Sequence, residues 1–312
     1  MGHAWQALVL AARSMGCDIF AAGYFPDDEV VQLSRLNEDQ WPMLIVGLHG
    51  RSIPVREPET GETVWFEGRA NQLSNEYVAY PLIDSIHAAT KFTKPHTERG
   101  GIPKAEPAPT GSGAIKPPPL ASATRTFGEV VRTRRSALDF RGGTLSMSLA
   151  QLSAVLDASA RPLFADFANT RFVQLYLYVH RVDGLDPGVY RHWPETGELE
   201  LVRPGDQRVV AAGLSLGQDL AGNACVAFSM IADIERAVRA HGDRGYRYVH
   251  FEAGAIGQRL YLAAEALGLG GTGIGAFFDD EVHRYLNLAR DQGEVAYHFA
   301  IGYPVPDPRL RA

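Results

Sequence analysis

Two arginines and a serine stand together at positions 134 to 136, where the pattern of residues 127–134 predicts the end of a helix. Arg134, Arg135 and Ser136 supply two cations and a hydroxyl donor, which suits an anionic phosphate through charge-assisted hydrogen bonds. The same triplet is also typical of a solvated basic helix end that complements the helix dipole. The residues alone leave both interpretations open.

A glycine-rich stretch from Gly268 to Gly275 is the second candidate for a binding segment. Glycine carries no side chain, so the backbone of such a stretch can approach a bound group closely. The simpler interpretation is a helix C-cap followed by a turn, and Gly268, which follows a predicted long helix, fits it.

Other kinds of chemistry have little support in the sequence. His250 and Glu252 are two positions apart and cannot share a helix face, so they do not form a metal pair. Cys225 lies in an apolar stretch and is predicted to be a small core residue. Cys17 is the only other cysteine and no CxxC spacing occurs, so no thiolate metal site is expected. No Ser-His-Asp order, P-loop or Rossmann fingerprint is present.

Composition narrows the class of protein. The chain has 312 residues, of which 46% are apolar and 21% charged, the profile of a globular protein with material for one or two domains. The formal net charge of −6 argues against a nucleic-acid partner. No apolar run is long enough to cross a membrane, and nothing resembles a secretory leader, so we expect a cytoplasmic protein.

The elements that must position these residues alternate along the C-terminal part. The pattern predicts strands over 172–179, 223–232 and 295–301, a hairpin of 189–192 with 199–202, and helices over 127–134 and 148–158. A long helix over 246–267 has apolar residues on a broad arc and should be buried. Hairpins and separated strands around a long buried helix predict an α+β fold.

The N-terminal part is shorter and ends in a proline-dense stretch. The sequence predicts helices over 4–15 and 28–36 with a turn between them, a strand over 42–47, a turn over 69–74 and a short helix over 83–89. Proline density over 94–124 favours a semi-rigid extended linker. We therefore divide the chain into an N-terminal segment, 1–93, a linker, 94–124, and a domain, 125–312.

Residues 2–30 and 254–282 match each other at an offset of 252, with 13 identities in 29 positions and no gap. Average residue usage would give roughly two. Shared glycines and a Phe-x-Asp-Asp-Glu-Val tail lie outside the helical part, so similar helix composition does not account for the match. After a three-residue shift, Gly47 also falls on Gly302. We interpret the two segments as copies of one ancestral unit, the first of which lacks a preceding half-domain.

Four stretches resemble, in order, the FMN-dependent nitroreductase superfamily, and in particular its SagB/ThcOx-type dehydrogenase branch. Residues 134–140 are similar to the motif Arg-Arg-Ser-x-Arg-x-Phe, 174–191 to the branch's hairpin, 246–258 to its central helix and 267–277 to its flavin-side loop. The resemblance covers 125–305. Residues 1–90 resemble the second half of the first domain in tandem versions, which indicates a first domain truncated at its N-terminus.

The resemblance implies a nitroreductase-like fold with a central, mainly antiparallel sheet flanked by helices. It also implies FMN at an interface between two domain copies, in a homodimer or an intramolecular pseudo-dimer. A backbone amide of the flavin-side loop would reach flavin N5. The implied cofactor-binding residues are Arg134, Arg135, Ser136, Gly273, Ile274, Gly275, Ala276 and, near the C-terminus, Arg309.

The sequence also departs from the branch. Asp139 stands where a basic residue is usual, and residues 163–168 lack the Ser/Gly segment expected there. Tyr246 matches the tyrosine of a catalytic Lys-Tyr pair, but Gly245 replaces the lysine, and a tyrosine alone is a weak base at neutral pH. Residues 17–20 of the N-terminal copy correspond to 269–272 of the C-terminal copy but lack the glycines found at 270 and 271. We therefore predict that the N-terminal copy has no flavin site of its own.

The sequence therefore predicts an FMN-dependent oxidoreductase without a metal. Hydride would pass through flavin N5 from NAD(P)H or an organic donor to a small-molecule or peptide acceptor. The alternative, favoured by the departures, is a non-catalytic remnant that dimerises or binds peptides.

Overall fold

The computed structural model describes residues 1–36, 40–50, 76, 78–92, 114–168, 171–289 and 292–308. Its helices are α1 (Gly2–Ser14), α2 (Asp27–Ser34), α3 (Pro81–Ala89), α4 (Phe127–Thr133), α5 (Leu149–Ala160), α6 (Arg208–Leu214), α7 (Asp219–Asn223), α8 (Ile234–His241), α9 (Gly245–Ala266) and α10 (Asp279–Leu286). Its strands are β1 (Asp18–Ala22), β2 (Ile45–His49), β3 (Met147–Ser148), β4 (Val173–Val179), β5 (Val182–Asp183), β6 (Gly188–Trp193), β7 (Glu198–Pro204), β8 (Val226–Ala232), β9 (Gly270–Ile274) and β10 (Glu294–Gly302). None of these helices is long and apolar enough to span a membrane.

Six strands form one antiparallel sheet in the order β7-β6-β4-β8-β10-β9. Side chains along β4 alternate between two cores, with Leu175 and Leu177 on one face and Tyr176 and Tyr178 on the other. Both faces are therefore covered, which explains the nearly continuous apolar runs of the central strands. The predicted α+β class and the predicted hairpin of β6 with β7 are confirmed.

Helix α9 is enclosed from two sides. Val249, Ile256 and Leu260 belong to the core between α9, α5 and the sheet. Tyr248 and Phe251 belong to a separate core formed with α1, β1 and residues 163–168. A helix that serves two cores must be apolar over most of its circumference, as the sequence of α9 predicts.

Helices α1 and α9 approach each other at two glycines. A Cβ atom on Gly254 would lie 2.9 Å from the Cα of Gly2, and one on Gly2 would lie 2.1 Å from the carbonyl oxygen of Phe251. Both distances are far below van der Waals contact, so the crossing requires glycine on each helix. Gly2 and Gly254 are also equivalent positions of the two matching segments, because they differ by the offset of 252.

The matching segments contain the same elements at matching positions. Helix α1 corresponds to the second half of α9, β1 to β9 and α2 to α10, with bounds that differ by 252. Both α2 and α10 end at a left-handed residue, Arg35 with φ 50° and Asn287 with φ 54°. The proposed match of Gly47 with Gly302 is wrong. Gly302 pairs with Gly270, whose equivalent in the N-terminal copy is Asp18. Asp18 pairs with His49, so His49 rather than Gly47 corresponds to Gly302.

Three local expectations need correction. The turn predicted between the first two helices is strand β1, and the strand predicted over 42–47 is β2, at Ile45–His49. Most of the glycine-rich stretch is strand β9 rather than a loop. Glycine is compatible with this strand because Phe299 and Tyr297 of β10 lie over Gly271 and Gly273, leaving no room for a Cβ.

The end of the proline-dense stretch lies along the C-terminal domain. Ile115 pairs with Leu199 of β7, and the amides of Ala121 and Thr124 donate to the carbonyls of Ala150 and Ala266 at 3.1 and 2.8 Å. Residues 93–113, and the turn predicted at 69–74, lie outside the described residues.

Substitution of Gly254 by alanine should destabilise the protein by about 1–3 kcal/mol, because the added methyl forces α1 away from α9. Gly213→Ala is the matched control. Gly213 lies in α6 and a Cβ there meets no atom within 4 Å, so alanine should be neutral or slightly stabilising. Denaturant unfolding of both variants measures the difference, and equal stabilities would contradict the crossing as described.

Candidate functional site

Helix α4 presents its C-terminal end to α9. A capping box fixes its start, with the side chain of Thr126 accepting from the amide of Glu129 and the Glu129 carboxylate accepting from the amide of Thr126 at 2.8 Å. At its end, the hydroxyl of Thr133 donates to Glu265 of α9 at 2.9 Å. The residues that follow α4 are thereby held beside α9, and the amide of Ala137 donates to the carbonyl of Gly271 at 3.0 Å.

Tyr261 of α9 joins three of the predicted cofactor-binding residues. Its hydroxyl accepts from the amide of Gly273 at 2.7 Å and shares a hydrogen bond with the hydroxyl of Ser136 at 2.9 Å. The guanidinium carbon of Arg134 lies 4.8 Å from the centroid of its ring. A cation, a hydroxyl and the β9 backbone are thus brought together although they come from distant parts of the chain.

The segment after β9 is open to solvent. Gly275 and Ala276 are exposed, and a Cβ atom on Gly275 would meet nothing within 4 Å. The carbonyl of Ala276 accepts from the side chain of Gln218 at 3.2 Å, and the amide of Phe278 donates to the carbonyl of Leu214 at 3.0 Å. These bonds fix the segment while leaving space beside Gly275.

A buried histidine lies beneath this segment. The ring of Phe277 stacks on His298 with centroids 4.6 Å apart. His298 bonds to the hydroxyls of Ser215 and Ser229 at 3.1 and 2.9 Å. Burial lowers the pKa of His298 to about 4, so the ring is neutral at pH 7.

Three further predicted site residues, Arg135, Tyr246 and Ile274, take no part in the contacts described around Tyr261. Arg135 is exposed and donates back to the carbonyls of Arg132 and Arg134 at 3.4 and 2.8 Å. Tyr246 lies in the first turn of α9, 15 residues before Tyr261, which corresponds to about 22 Å along the helix. Ile274 is buried in the sheet. Arg309 lies outside the described residues.

The unexpected acidic residue of the first motif has a structural partner. The Asp139 carboxylate accepts from the side chain of Asn223 at 3.1 Å and from the amide of Phe140 at 2.7 Å. Its own carbonyl accepts from Val305 at 3.0 Å. Asp139 therefore ties the motif to α7 and to the segment after β10.

Sequence reasoning missed the aromatic residues at the centre of this site. Tyr261 was assigned to the central helix without a role, and Tyr297 of β10 was not singled out. The Tyr297 hydroxyl lies 1.7 Å from the place where a Cβ on Gly273 would be, and burial raises the pKa of Tyr297 to about 12. The glycine at 273 was the available signal, because a glycine inside a strand often marks a close neighbour.

The N-terminal copy differs sharply from this open arrangement. Gly23, the equivalent of Gly275, is buried, and the amides of Gly23 and Tyr24 donate to the Asp166 carboxylate at 2.8 and 3.2 Å. A Cβ on Gly23 would lie 2.5 Å from Phe167, which stacks on Tyr248 with centroids 4.1 Å apart. The segment 163–168, which departs from the branch's pattern, thus covers the N-terminal copy.

A buried charge cluster closes the same region. Asp27 is fully buried and accepts from the guanidinium of Arg244 and, at 2.9 Å, from that of Arg247. Arg244 also donates to the carbonyl of Gly23 at 2.7 Å, and Arg247 donates to the hydroxyl of Thr90 at 2.8 Å. Paired and hydrogen-bonded in this way, the buried charges hold α2 and the end of α3 against α9. In the described part of the chain, no group of three or more His, Cys, Asp or Glu side chains is arranged to hold a metal ion.

Comparison with known proteins identifies the family. The profile described as Nitroreductase family matches residues 131–303. The chain belongs to the nitroreductase family.

Individual relatives cover parts of the chain. A protein of Methanocaldococcus jannaschii named as a candidate nitroreductase is 35% identical over 116 residues, 37% of this chain and 59% of the relative. The trifolitoxin operon protein TfxC of Rhizobium leguminosarum bv. trifolii is 30% identical over 127 residues, 40% of this chain and 35% of the relative. The chain thus spans 59% and 35% of the curated relatives that it matches.

A solved structure matches almost the whole chain. The crystal structure of a candidate nitroreductase from Anabaena variabilis is 25% identical, with a TM-score of 0.76, and the match covers 97% of this chain and 64% of that one. A candidate nitroreductase from Ralstonia eutropha has a TM-score of 0.52 at 22% identity, covering 67% of this chain and 97% of that one. The nitroreductase-like fold is confirmed.

Removal of the Asp166 carboxylate should destabilise the N-terminal copy. Asp166→Ala leaves the buried Gly23 amide without its acceptor, at a cost of about 1–3 kcal/mol. Asp157→Ala is a suitable control. Asp157 of α5 makes an exposed ion pair with Arg161, the residue after the helix, and exposed ion pairs contribute little to stability. Chemical denaturation of both variants tests this. A loss of stability in Asp166→Ala no larger than in Asp157→Ala would contradict the role of Asp166 as acceptor for the buried amide.

The buried His298 should make stability depend on pH. Its folded pKa lies below the ordinary value of 6.5, so its contribution is complete above that value and is lost as pH falls toward about 4. Relative to His298→Gln, the wild type should therefore lose about 2 kcal/mol between pH 7 and pH 5. Unfolding free energies of both proteins at the two pH values provide the measurement; a stability difference independent of pH would show that His298 is not held neutral.

Proposed function

We propose that the chain is an FMN-dependent oxidoreductase whose cofactor lies against residues 134–136 and 273–276. The observation that carries this proposal is the meeting of Arg134, Ser136 and Gly273 at Tyr261, directly before the exposed backbone of Gly275. Membership of the nitroreductase family supports a redox activity.

The residues present fit the demands of FMN. A phosphate dianion requires cations, which Arg134 and Arg135 supply, and the exposed hydroxyl of Ser136 suits the ribityl chain. A flat ring requires a surface without side chains, which the open backbone at Gly275 provides. Ala276, the next residue, carries only a methyl group.

FMN, when bound, supplies the capacity to take up and release hydride at its N5 atom. The protein's own residues bind and orient. Arg134, stacked on Tyr261, would hold the phosphate end, and Gln218, through the Ala276 carbonyl, would fix the backbone that faces the ring. We infer NAD(P)H or an organic donor as reductant and a small molecule or peptide as acceptor, as in the SagB-type branch.

The two copies suggest how the site is completed. We propose an intramolecular pseudo-dimer in which the N-terminal segment takes the place of a second domain copy, with a homodimer as the other arrangement. The equivalent glycines Gly2 and Gly254 meet at the crossing of α1 and α9, as expected for two related halves. Tyr246 lies at the opposite end of α9 from Tyr261. It would then contact a group bound between this domain and another copy, and would take no part in the site at Tyr261.

A non-catalytic module that dimerises or binds peptides is the second candidate. Asp139 and the closed N-terminal copy favour it, because one replaces a basic residue with an acid and the other covers a potential site with Asp166 and Phe167. Flavin binding separates the two candidates.

FMN titration of the apoprotein tests the proposal. The wild type should quench flavin fluorescence and retain the visible absorbance of oxidised flavin after gel filtration. Arg134→Ala and Ser136→Ala should each weaken binding by about tenfold, since each removes a charge-assisted or hydroxyl contact.

Arg132→Ala is the matched control, because Arg132 is an exposed arginine in the last turn of α4, two residues before Arg134, and its removal should leave flavin affinity unchanged. A wild-type protein that takes up no added FMN would refute the flavin function and leave the non-catalytic module.

A further inference from the structure

The first helix of the chain reaches the candidate flavin site. His3 of α1 bonds through Nδ1 to the side-chain oxygen of Gln258 at 3.2 Å. Its ring makes edge contacts with Tyr261 and Tyr297, with centroids 5.8 and 5.6 Å apart. A residue of the N-terminal copy thereby packs on both aromatic side chains of the site in the C-terminal domain.

These two tyrosines contact the backbone and the side chains that are proposed to face the cofactor. Tyr261 holds Ser136 and the amide of Gly273, and the Tyr297 hydroxyl lies over Gly273. A change in either ring would therefore move the proposed contacts. His3 of α1 contacts both rings, which also pack on Phe299 of β10.

We propose that His3 is a positioning residue of the flavin site, so that the N-terminal copy is needed for tight cofactor binding by the C-terminal domain. This inference rests on the proposed function. His3 acts through Tyr261 and Tyr297, and these in turn through Ser136 and Gly273.

The geometry favours a packing role for His3 over a role in proton transfer. Its Nε2 atom is buried without a hydrogen-bond partner and lies 2.8 Å from the place where a Cβ on Gly257 would be. Its Nδ1 atom is engaged by Gln258. Burial lowers the pKa of His3 below its ordinary value, and the charges of the N-terminus and Arg134 act in the same direction while the Gln258 hydrogen bond opposes them. The neutral form is therefore favoured, and the contribution of the ring is packing.

Coupling of this kind is reciprocal. If the docking of α1 strengthens flavin binding, flavin binding must strengthen the docking of α1 by the same free energy. Hydrogen exchange of the amides of α1 therefore reports on the coupling without any measurement of activity. A purely structural helix would show no response to the flavin.

The first experiment measures FMN dissociation constants of three variants of the full chain. His3→Ala should raise the constant about five- to tenfold, since it removes the packing on both tyrosines. His3→Phe should remain within about twofold of the wild type because it keeps an aromatic ring in the same place.

Val9→Ala is the control. Val9 is buried on the same helix, six residues and about 9 Å further along it, in the core with Ala165 and Phe167 rather than with the tyrosines. It should lower the unfolding midpoint at least as much as His3→Ala and leave the dissociation constant unchanged.

The second experiment compares hydrogen exchange of residues 2–14 with and without FMN. Exchange should slow with FMN in the wild type and in His3→Phe, and should not respond in His3→Ala. A wild type that binds FMN while His3→Ala binds equally well, or while Val9→Ala loses as much affinity, would overturn the positioning role alone. A wild type that takes up no FMN would refute the proposed function, and this inference with it.

Discussion

The close crossing of α1 and α9 is the constraint on which the rest of the structure depends. Two helices approach this closely only where neither carries a side chain, and Gly2 and Gly254 meet that requirement. Because the crossing buries the outer face of α9, a helix that would otherwise cover one side of a sheet becomes the centre of two cores. The contacts around Tyr261 lie toward one end of α9, and the buried charge cluster around Asp27 lies at the other.

The two ends of α9 are built differently. At the N-terminal end, Arg244 and Arg247 enclose Asp27, and neighbouring carbonyls and the Thr90 hydroxyl satisfy further donors. Separation of these groups would leave a buried charge without its partner, which is costly. At the other end, aromatic rings and hydroxyl groups surround Tyr261, and the adjacent backbone is open. The first end is built for closure, whereas the second retains room for a bound group.

Predictions from the sequence were more accurate for the helices and strands than for the contacts between them. Periodicity and turn residues placed α9, the hairpin and the central strands within a few residues, because these depend on local pattern and burial. The repeat, which the sequence predicts over 2–30 and 254–282, begins at equivalent helical positions in both copies. Strand β1 lies where the sequence predicts a turn, because Asp18 to Ala22 is short and pairs with β2, a partner that periodicity does not reveal.

The site itself was predicted only in part. Arg134, Ser136 and Gly273 carry recognisable motifs, and they do come together. Tyr261 unites them, but its partners lie 125 and 12 residues away along the chain, and nothing local in α9 distinguishes this tyrosine from a core residue. His3 is further still, 255 residues from Gln258. Long-range contacts of this kind depend on how distant elements pack on α9, which a single sequence does not specify.

The two copies share the same backbone arrangement, but the segment after the strand is covered in the N-terminal copy and exposed in the C-terminal copy. After β1, the consecutive amides of Gly23 and Tyr24 point toward one place, and buried amides require an acceptor there. The chain supplies one itself, the two oxygens of the Asp166 carboxylate, and Phe167 fills the adjoining space. After β9, the same backbone remains exposed at Gly275, with no side chain of its own to fill the neighbouring space. Of the two described copies, the C-terminal one is therefore the copy in which this backbone is exposed. The departure at residues 163–168, which argues against a flavin when the C-terminal domain is considered alone, instead accounts for the closure of the other copy.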